Sequence, residues 1–220
     1  MQKTKKEISI IKEGCKISDR IFSSCLKNIN NFKTELDMAT YLKEEVKKLK
    51  LRESFPAIVA IGKNAAEPHH IPNKTKLTKG FCVIDFGIRY KGYCTDTTRT
   101  IYFGKPNKKE KELYNLVLKT QQEGIRNSTP KNTYSYLDIQ SRKTIRYSKN
   151  FIHLLGHGVG KRIHESPLMR RTNHRKLRVN EVITIEPGLY FKNKLGIRIE
   201  DMVLVRDKPI ILTKVKKFRP

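Results

Sequence analysis

Apolar residues in the first fifty positions recur at helical steps. Ile8, Ile11, Cys15, Phe22, Cys25 and Ile29 follow one another by three, four and seven residues. That spacing predicts a long helix over residues 5–30 with one buried face, interrupted only by Ser18, and with Gly14 as a weak point in its interior. A second helix is expected after Thr34, which suits an N-cap, with Leu36, Ala39, Leu42, Val46 and Leu49 facing inward. Residues 58–61 then read as a short strand ending at Gly62, followed by a polar loop from Lys63 to Lys79 punctuated by Pro68 and Pro72. Residues 81–86 and 94–103 read as a hairpin turning at Tyr90–Gly92. Helices are expected from Pro106 to about Ile125, with Leu113, Leu116, Val117 and Thr120 inward, and from Tyr134 to Arg146. The last third reads as strands at 151–155, 181–186, 189–192, 197–205 and 210–212. Helices, hairpin, helices and then strands describe an α+β chain with a largely antiparallel sheet.

Within this pattern four acids stand where apolar residues belong. Asp85 interrupts Val83-Ile84-Asp85-Phe86, and Asp96 follows eleven residues later. A turn at Tyr90–Lys91 sets the two directly opposite each other, a like-charge pair that destabilises a sheet. Glu186 ends Val182-Ile183-Thr184-Ile185, Glu200 follows Ile197-Arg198-Ile199, and their separation centres a second turn on Asn193. Burying an unpaired charge is costly, so a cation or a shared proton has to lie between the acids. His157, between Gly156 and Gly158, adds an imidazole whose flanking glycines permit close backbone approach. A lone histidine there would be an ordinary core residue, and each acid alone could belong to an ion pair. Together the five form a hard-ligand cage suited to divalent Mn, Co, Fe or Zn.

Composition sets the surroundings. Hydrophobic residues make up 37% of the 220, spread in periodic runs, which predicts a packed core. Lys and Arg number 47 against 21 Asp and Glu, a net charge of +26. Such a surplus attracts anionic partners, and association with the ribosome or nucleic acid stays open beside a simply solvated basic surface. Cys15, Cys25, Cys82 and Cys94 form no CxxC pair, so buried thiols in a reducing cytoplasm are expected. No apolar stretch approaches the ~20 residues of a membrane span, nor is there a signal-peptide pattern.

The motifs resemble a known family. Ser54-Phe55-Pro56-Ala57-Ile58-Val59-Ala60, Asn64-Ala65-Ala66-Glu67-Pro68-His69 and Asp85-Phe86-Gly87 come first. Gly92-Tyr93-Cys94-Thr95-Asp96-Thr97-Thr98-Arg99-Thr100, Gly156-His157-Gly158-Val159-Gly160, His164-Glu165-Ser166-Pro167, Glu186-Pro187-Gly188 and Arg198-Ile199-Glu200-Asp201 follow in order. This series is similar to the metallopeptidases that include methionine aminopeptidase, aminopeptidase P and prolidase. The resemblance implies their pita-bread (creatinase-like) fold, a curved antiparallel sheet under helices in two pseudo-symmetric halves. It implies two metal ions, with Asp85 on one, Asp96 and Glu200 bridging, and His157 and Glu186 on the other. A bridging hydroxide would attack the peptide carbonyl, Glu186 would shuttle the proton, and His69 and His164 would orient substrate and stabilise the tetrahedral intermediate. His153 resembles a further pocket histidine, with packing as an equal alternative, and Arg198 a support for a metal ligand. His70 and His174 match nothing in the family and read as surface.

The Asp96–Thr100 and Ala65–His69 runs look like the proline-specific branch, which implies an exopeptidase acting on Xaa-Pro peptides. Methionine aminopeptidase action on nascent proteins and a non-catalytic RNA- or ribosome-binding protein on the same fold are the alternatives. Proline-specific members commonly carry a separate N-terminal domain; here a single catalytic domain over 1–220 is expected, and monomer and homodimer both stay open.

Overall fold

The structure, a computed structural model, describes residues 2–220. Its first half begins with helices α1 (Lys5–Lys27) and α2 (Glu35–Lys48). Strands β1 (Arg52–Glu53), β2 (Ile58–Ile61), β3 (Gly80–Phe86), β4 (Ile88–Tyr90), β5 (Tyr93–Cys94) and β6 (Thr97–Phe103) follow. The second half opens with α3 (Lys108–Arg126) and α4 (Tyr134–Ile145). It continues through β7 (Gly156–Gly158), β8 (Glu165–Met169), β9 (Val182–Ile185), β10 (Gly188–Phe191), β11 (Leu195–Arg198), β12 (Asp201–Leu204) and β13 (Ile210–Ile211). The sheets run β2-β3-β6, β1-β4-β5, β13-β12-β9-β7-β8 and β10-β11. Every strand pairing is antiparallel.

Sequence explains the helix starts. Thr4, Thr34 and Asn107 cap α1, α2 and α3, each with an acid three residues on closing a capping box, and such a cap is worth about 1 kcal/mol. In each half two helices cover a sheet. Phe22, Met38, Leu42 and Val46 pack on Val59, Ile84 and Phe86, while Leu113, Val117 and Leu137 pack on Ile183, Ile185 and Ile197. The halves are stitched between β6 and the segment around β11: Glu200 N–H donates to Thr98 O at 3.1 Å, and Thr100 Oγ1 to Arg198 O at 2.7 Å. All four cysteines are buried free thiols, and among the described residues no helix is long and apolar enough to cross a membrane.

Several expectations are corrected. Helix α2 turns Glu35 and Met38 inward and leaves Leu36 at 41% and Leu49 at 51% exposure. Residues 151–155 are not a strand, and Arg142 takes two of their carbonyls, donating to Phe151 O at 2.6 Å and His153 O at 2.7 Å. Strand β8 had no recognised apolar run.

The first hairpin differs from expectation in register. Asp85 pairs with Thr98, not Asp96. Lys91 (φ 46°) and Gly92 (φ 85°) both occupy the left-handed region, as a type I′ turn requires of its two central residues. The turn is therefore centred one residue later than Tyr90–Lys91, and the register moves by two. Asp96 becomes a diagonal neighbour of Asp85. The second hairpin pairs Gly188 with Arg198 and Phe191 with Leu195 about Asn193 (φ 58°). The same register resumes where Ile185 pairs with Asp201, which leaves Glu186 and Glu200 facing each other across the gap between the paired stretches.

Candidate active site

Asp85 is the penultimate residue of β3 and Asp96 immediately precedes β6. His157 is the middle of β7, Glu186 follows β9, and Glu200 lies between β11 and β12. A Cβ at Gly156 would lie 2.1 Å from Thr184 O, so the glycine beside His157 permits close approach to β9 rather than to a metal. Ligand atoms of Asp96, His157 and Glu200 lie within 4.8 Å of one another. His157 Nε2 is 3.3 Å from Glu186 Oε1 and 3.5 Å from Asp96 Oδ2. His157 Nδ1 faces Gly158 O at 3.0 Å; a carbonyl only accepts, so Nδ1 carries a proton and Nε2 is turned to the acids.

Five further contacts fix the acids and their surroundings. Thr98 Oγ1 donates to Glu200 Oε2 at 2.8 Å, Thr184 Oγ1 to Glu186 Oε1 at 2.9 Å, and Arg198 Nη2 to Asp85 Oδ2 at 2.9 Å. Arg198 Nη1 also donates to Tyr190 Oη at 2.8 Å, and His153 Nε2 meets the same hydroxyl at 2.9 Å. Sequence alone assigned no role to Thr98, Thr184 or Tyr190, although Thr184 and Tyr190 stand in apolar runs and Thr98 lies two residues from Asp96.

All nine residues singled out from the sequence line one cavity of about 510 Å³. His69 and His164 are exposed on its walls, and the His164 ring meets the His157 ring edge-on at 4.4 Å between centroids. His153 lines the cavity as well as packing on Phe151. Phe55, Ile71, Leu154, Ile163 and Leu168 supply apolar wall that was not foreseen. His174 is exposed. His70, expected on the surface, has a side chain only 9% exposed and borders the cavity.

Electrostatics separate the acids. Burial, then Glu200, Asp85 and Glu186, push Asp96 well above the usual carboxylate range, and burial with Glu186 and Asp85 does the same to Glu200. Burial also raises Asp85, against the pull of Arg198. Burial would raise Glu186 too, but the hydrogen bond and charge of His157 outweigh it and bring its carboxyl down to about 2. Burial would lower His157, and Glu186 reverses that and raises it. Burial takes His153 down to about 4, and burial with the charge of His157 lowers His164.

The donor set fits a divalent metal. Asp85 Oδ1 and Glu200 Oε1 are buried without a hydrogen-bond partner among the described residues. Buried polar atoms are nearly always satisfied, and carboxylate oxygens with an imidazole suit divalent ions.

Comparison with known proteins agrees. An Xaa-Pro dipeptidase of Pyrococcus furiosus is 38% identical over 211 residues, covering 93% of this chain and 60% of that protein. A putative Xaa-Pro aminopeptidase of Mycoplasma genitalium is 41% identical over 216 residues, covering 94% of this chain and 61% of its own. The solved prolidase from Pyrococcus furiosus superposes with a TM-score of 0.93 at 36% identity, over 98% of this chain and 66% of that one. Such likeness bears out the pita-bread fold expected from the motifs. The chain thus spans about 60% of the length of these curated relatives. The profile of metallopeptidase family M24 matches residues 9–207, and the chain belongs to that family.

Proposed function

We propose that this chain is a divalent-metal exopeptidase that removes the N-terminal residue from peptides, with proline in the second position. The observation that carries the reading is the buried Asp96–His157–Glu200 cluster, its ligand atoms within 4.8 Å of one another in the lining of an open cavity. The Xaa-Pro activities named for the relatives support the choice of substrate over methionine removal.

Asp85 would hold one ion, Asp96 and Glu200 would be shared between two, and His157 with Glu186 would complete the second. Bound divalent cations supply Lewis-acid polarisation and lower the pKa of water toward neutrality.

The remaining roles belong to the chain's own groups. Glu186 is the most accessible of the acids, its side chain 16% exposed against 13% for Asp85 and 6% for Asp96. Its reach toward the cavity, rather than its basicity, which His157 holds low, fits it to pass a proton between water and the leaving amine. His69 and His164, exposed on the cavity wall, would donate hydrogen bonds to the carbonyl oxygen as negative charge develops there. His153, with its pKa near 4, stays neutral at physiological pH and would orient substrate while Tyr190 holds its ring. Arg198 fixes Asp85 and keeps its charge compensated. The apolar wall of Phe55, Ile163 and Leu168 suits a pyrrolidine ring, which brings no N–H into the site.

Turnover of Xaa-Pro and Met-Ala peptides by the protein loaded with Mn or Co tests this. Preferential Xaa-Pro cleavage that chelator abolishes is expected; preference for Met-Ala, or cleavage indifferent to chelator, would overturn it.

A further inference from the structure

Glu35 is a charged residue in the first turn of a helix, yet it is completely buried. It is not needed to start that helix. Thr34 and Asp37 already close the capping box. Its carboxylate faces the other way, toward the loop between β2 and β3. Oε1 accepts from Ile61 N–H at 2.8 Å and from Asn64 Nδ2 at 3.0 Å. Oε2 meets His70 Nε2 at 2.8 Å and accepts from Asn73 N–H at 3.3 Å. Four partners therefore converge on one side chain, and all four come from residues 61–73. His69 is in the middle of that stretch.

The backbone adds to the clamp. Glu35 N–H donates to Thr75 O and Leu36 N–H to Asn73 O, each at 3.0 Å. On the cavity side Arg198 Nη1 donates to Pro68 O at 3.2 Å, the carbonyl next to His69. The His69 segment is thus held from outside by Glu35 and from inside by the guanidinium that also holds Asp85. A buried carboxylate is tolerated only when its lone pairs meet donors, so Glu35 and the loop conformation require each other.

We propose that Glu35, acting through His70 and the ends of this loop, is a positioning residue that sets the His69 imidazole over the cavity. The inference rests on the reading that His69 acts on substrate. Glu35 itself touches no reacting atom. His70 is the inner link: its ring is fixed by Glu35 and it directly precedes the exposed Ile71.

Two measurements on the metal-loaded protein test the idea. Glu35→Gln places an amide NH2 among converging donors, and a misplacement of about 1 Å can cost about 100-fold in rate. A fall of about 10–100-fold in kcat for an Xaa-Pro peptide is expected, with bound metal unchanged. In a His69→Ala background the same substitution should change kcat less than about twofold, because the group it positions is gone. Independently, tryptic cleavage after Lys74 and Lys76, both exposed at the end of the loop, should speed by about tenfold in Glu35→Gln. His70→Gln is carried through both measurements, so that a folding failure of Glu35→Gln leaves the question decided. An undiminished loss of kcat in the His69→Ala background would overturn the proposal, and so would unchanged tryptic cleavage. If the wild-type protein cleaves no Xaa-Pro peptide, the functional reading fails, and the tryptic measurement still decides whether Glu35 fixes the loop.

Discussion

The two hairpins that carry the acids solve the same electrostatic problem in different ways. In the first, Asp85 lies against a permanent cation, Arg198 at 2.9 Å, and its diagonal neighbour Asp96 does not share it in a hydrogen bond. In the second, Glu186 lies 3.3 Å from His157, a partner whose charge is conditional, while Glu200 faces the hydroxyl of Thr98. Each hairpin therefore gives one acid the nearer basic partner, and leaves the other with only the longer 3.5 Å approach of His157 to Asp96 or, at Glu200, a hydroxyl. These two less compensated acids, Asp96 and Glu200, are the ones pushed furthest above the usual carboxylate range. They are also the pair that meets His157 in the three-residue cluster. The lesson is that the resident bases leave the centre of the cage the least compensated, and a divalent cation would supply the missing charge.

Breaking the centre should have the largest effect. Asp96→Ala or Glu200→Ala should lower both metal affinity and peptide turnover by more than about 100-fold, exceeding what loss of a supporting partner costs. Elemental analysis alongside the peptide assay checks this. Next comes the resident base of the first hairpin. Arg198→Ala frees Asp85 and Pro68 O together and should cost about 10–100-fold in metal affinity or turnover. The second hairpin should be less sensitive at its support. Thr98→Val removes one hydrogen bond to Glu200, and a loss of about tenfold in metal affinity is expected by titration, the scale of a hydrogen bond to a charged group.

The smallest effect concerns pH and the metal-free protein. A carboxyl whose folded pKa is raised holds a proton that the unfolded chain has already released. Its contribution to stability is therefore lost as pH rises from about 4 through the raised value. Asp96 has this sign, and the amide introduced by Asp96→Asn does not titrate. In chelator-treated samples the Tm of the Asp96→Asn variant should overtake that of wild type by a margin that grows with pH above about 4. The comparison between the two proteins cancels the opposite contributions of His153 and His164, whose folded pKa values are lowered. Thermal melts at several pH values measure it, and a margin that shrinks with pH would contradict the sign.

Much of this was legible in the chain, for identifiable reasons. Acids inside apolar runs are rare enough to be informative, and Asp85, Glu186 and Glu200 line one cavity with Asp96. The second turn was legible because Asn193 tolerates the left-handed region and sits at the centre of a polar run. The first was misread by one residue because two adjacent turns fit the same strands, and the cue was Gly92 in the second central position of a type I′ turn. Glu35 escaped notice because hydropathy sends acids outward, and the same rule turned Leu36 and Leu49 inward against the structure. His70 was unreadable for the complementary reason: its partner is 35 residues away and no periodicity links them. Residues 151–155 look like a strand by composition, and only the position of the Arg142 guanidinium reveals that two of their carbonyls are already taken.

Calorimetric titration of the chelator-stripped protein with Mn2+ tests the central claim most directly. Saturable uptake of two ions per chain is predicted, accompanied by proton release and lost at both sites in Asp96→Ala. A folded protein that takes up no divalent ion, or binds it equally well without the Asp96 carboxylate, would contradict the account.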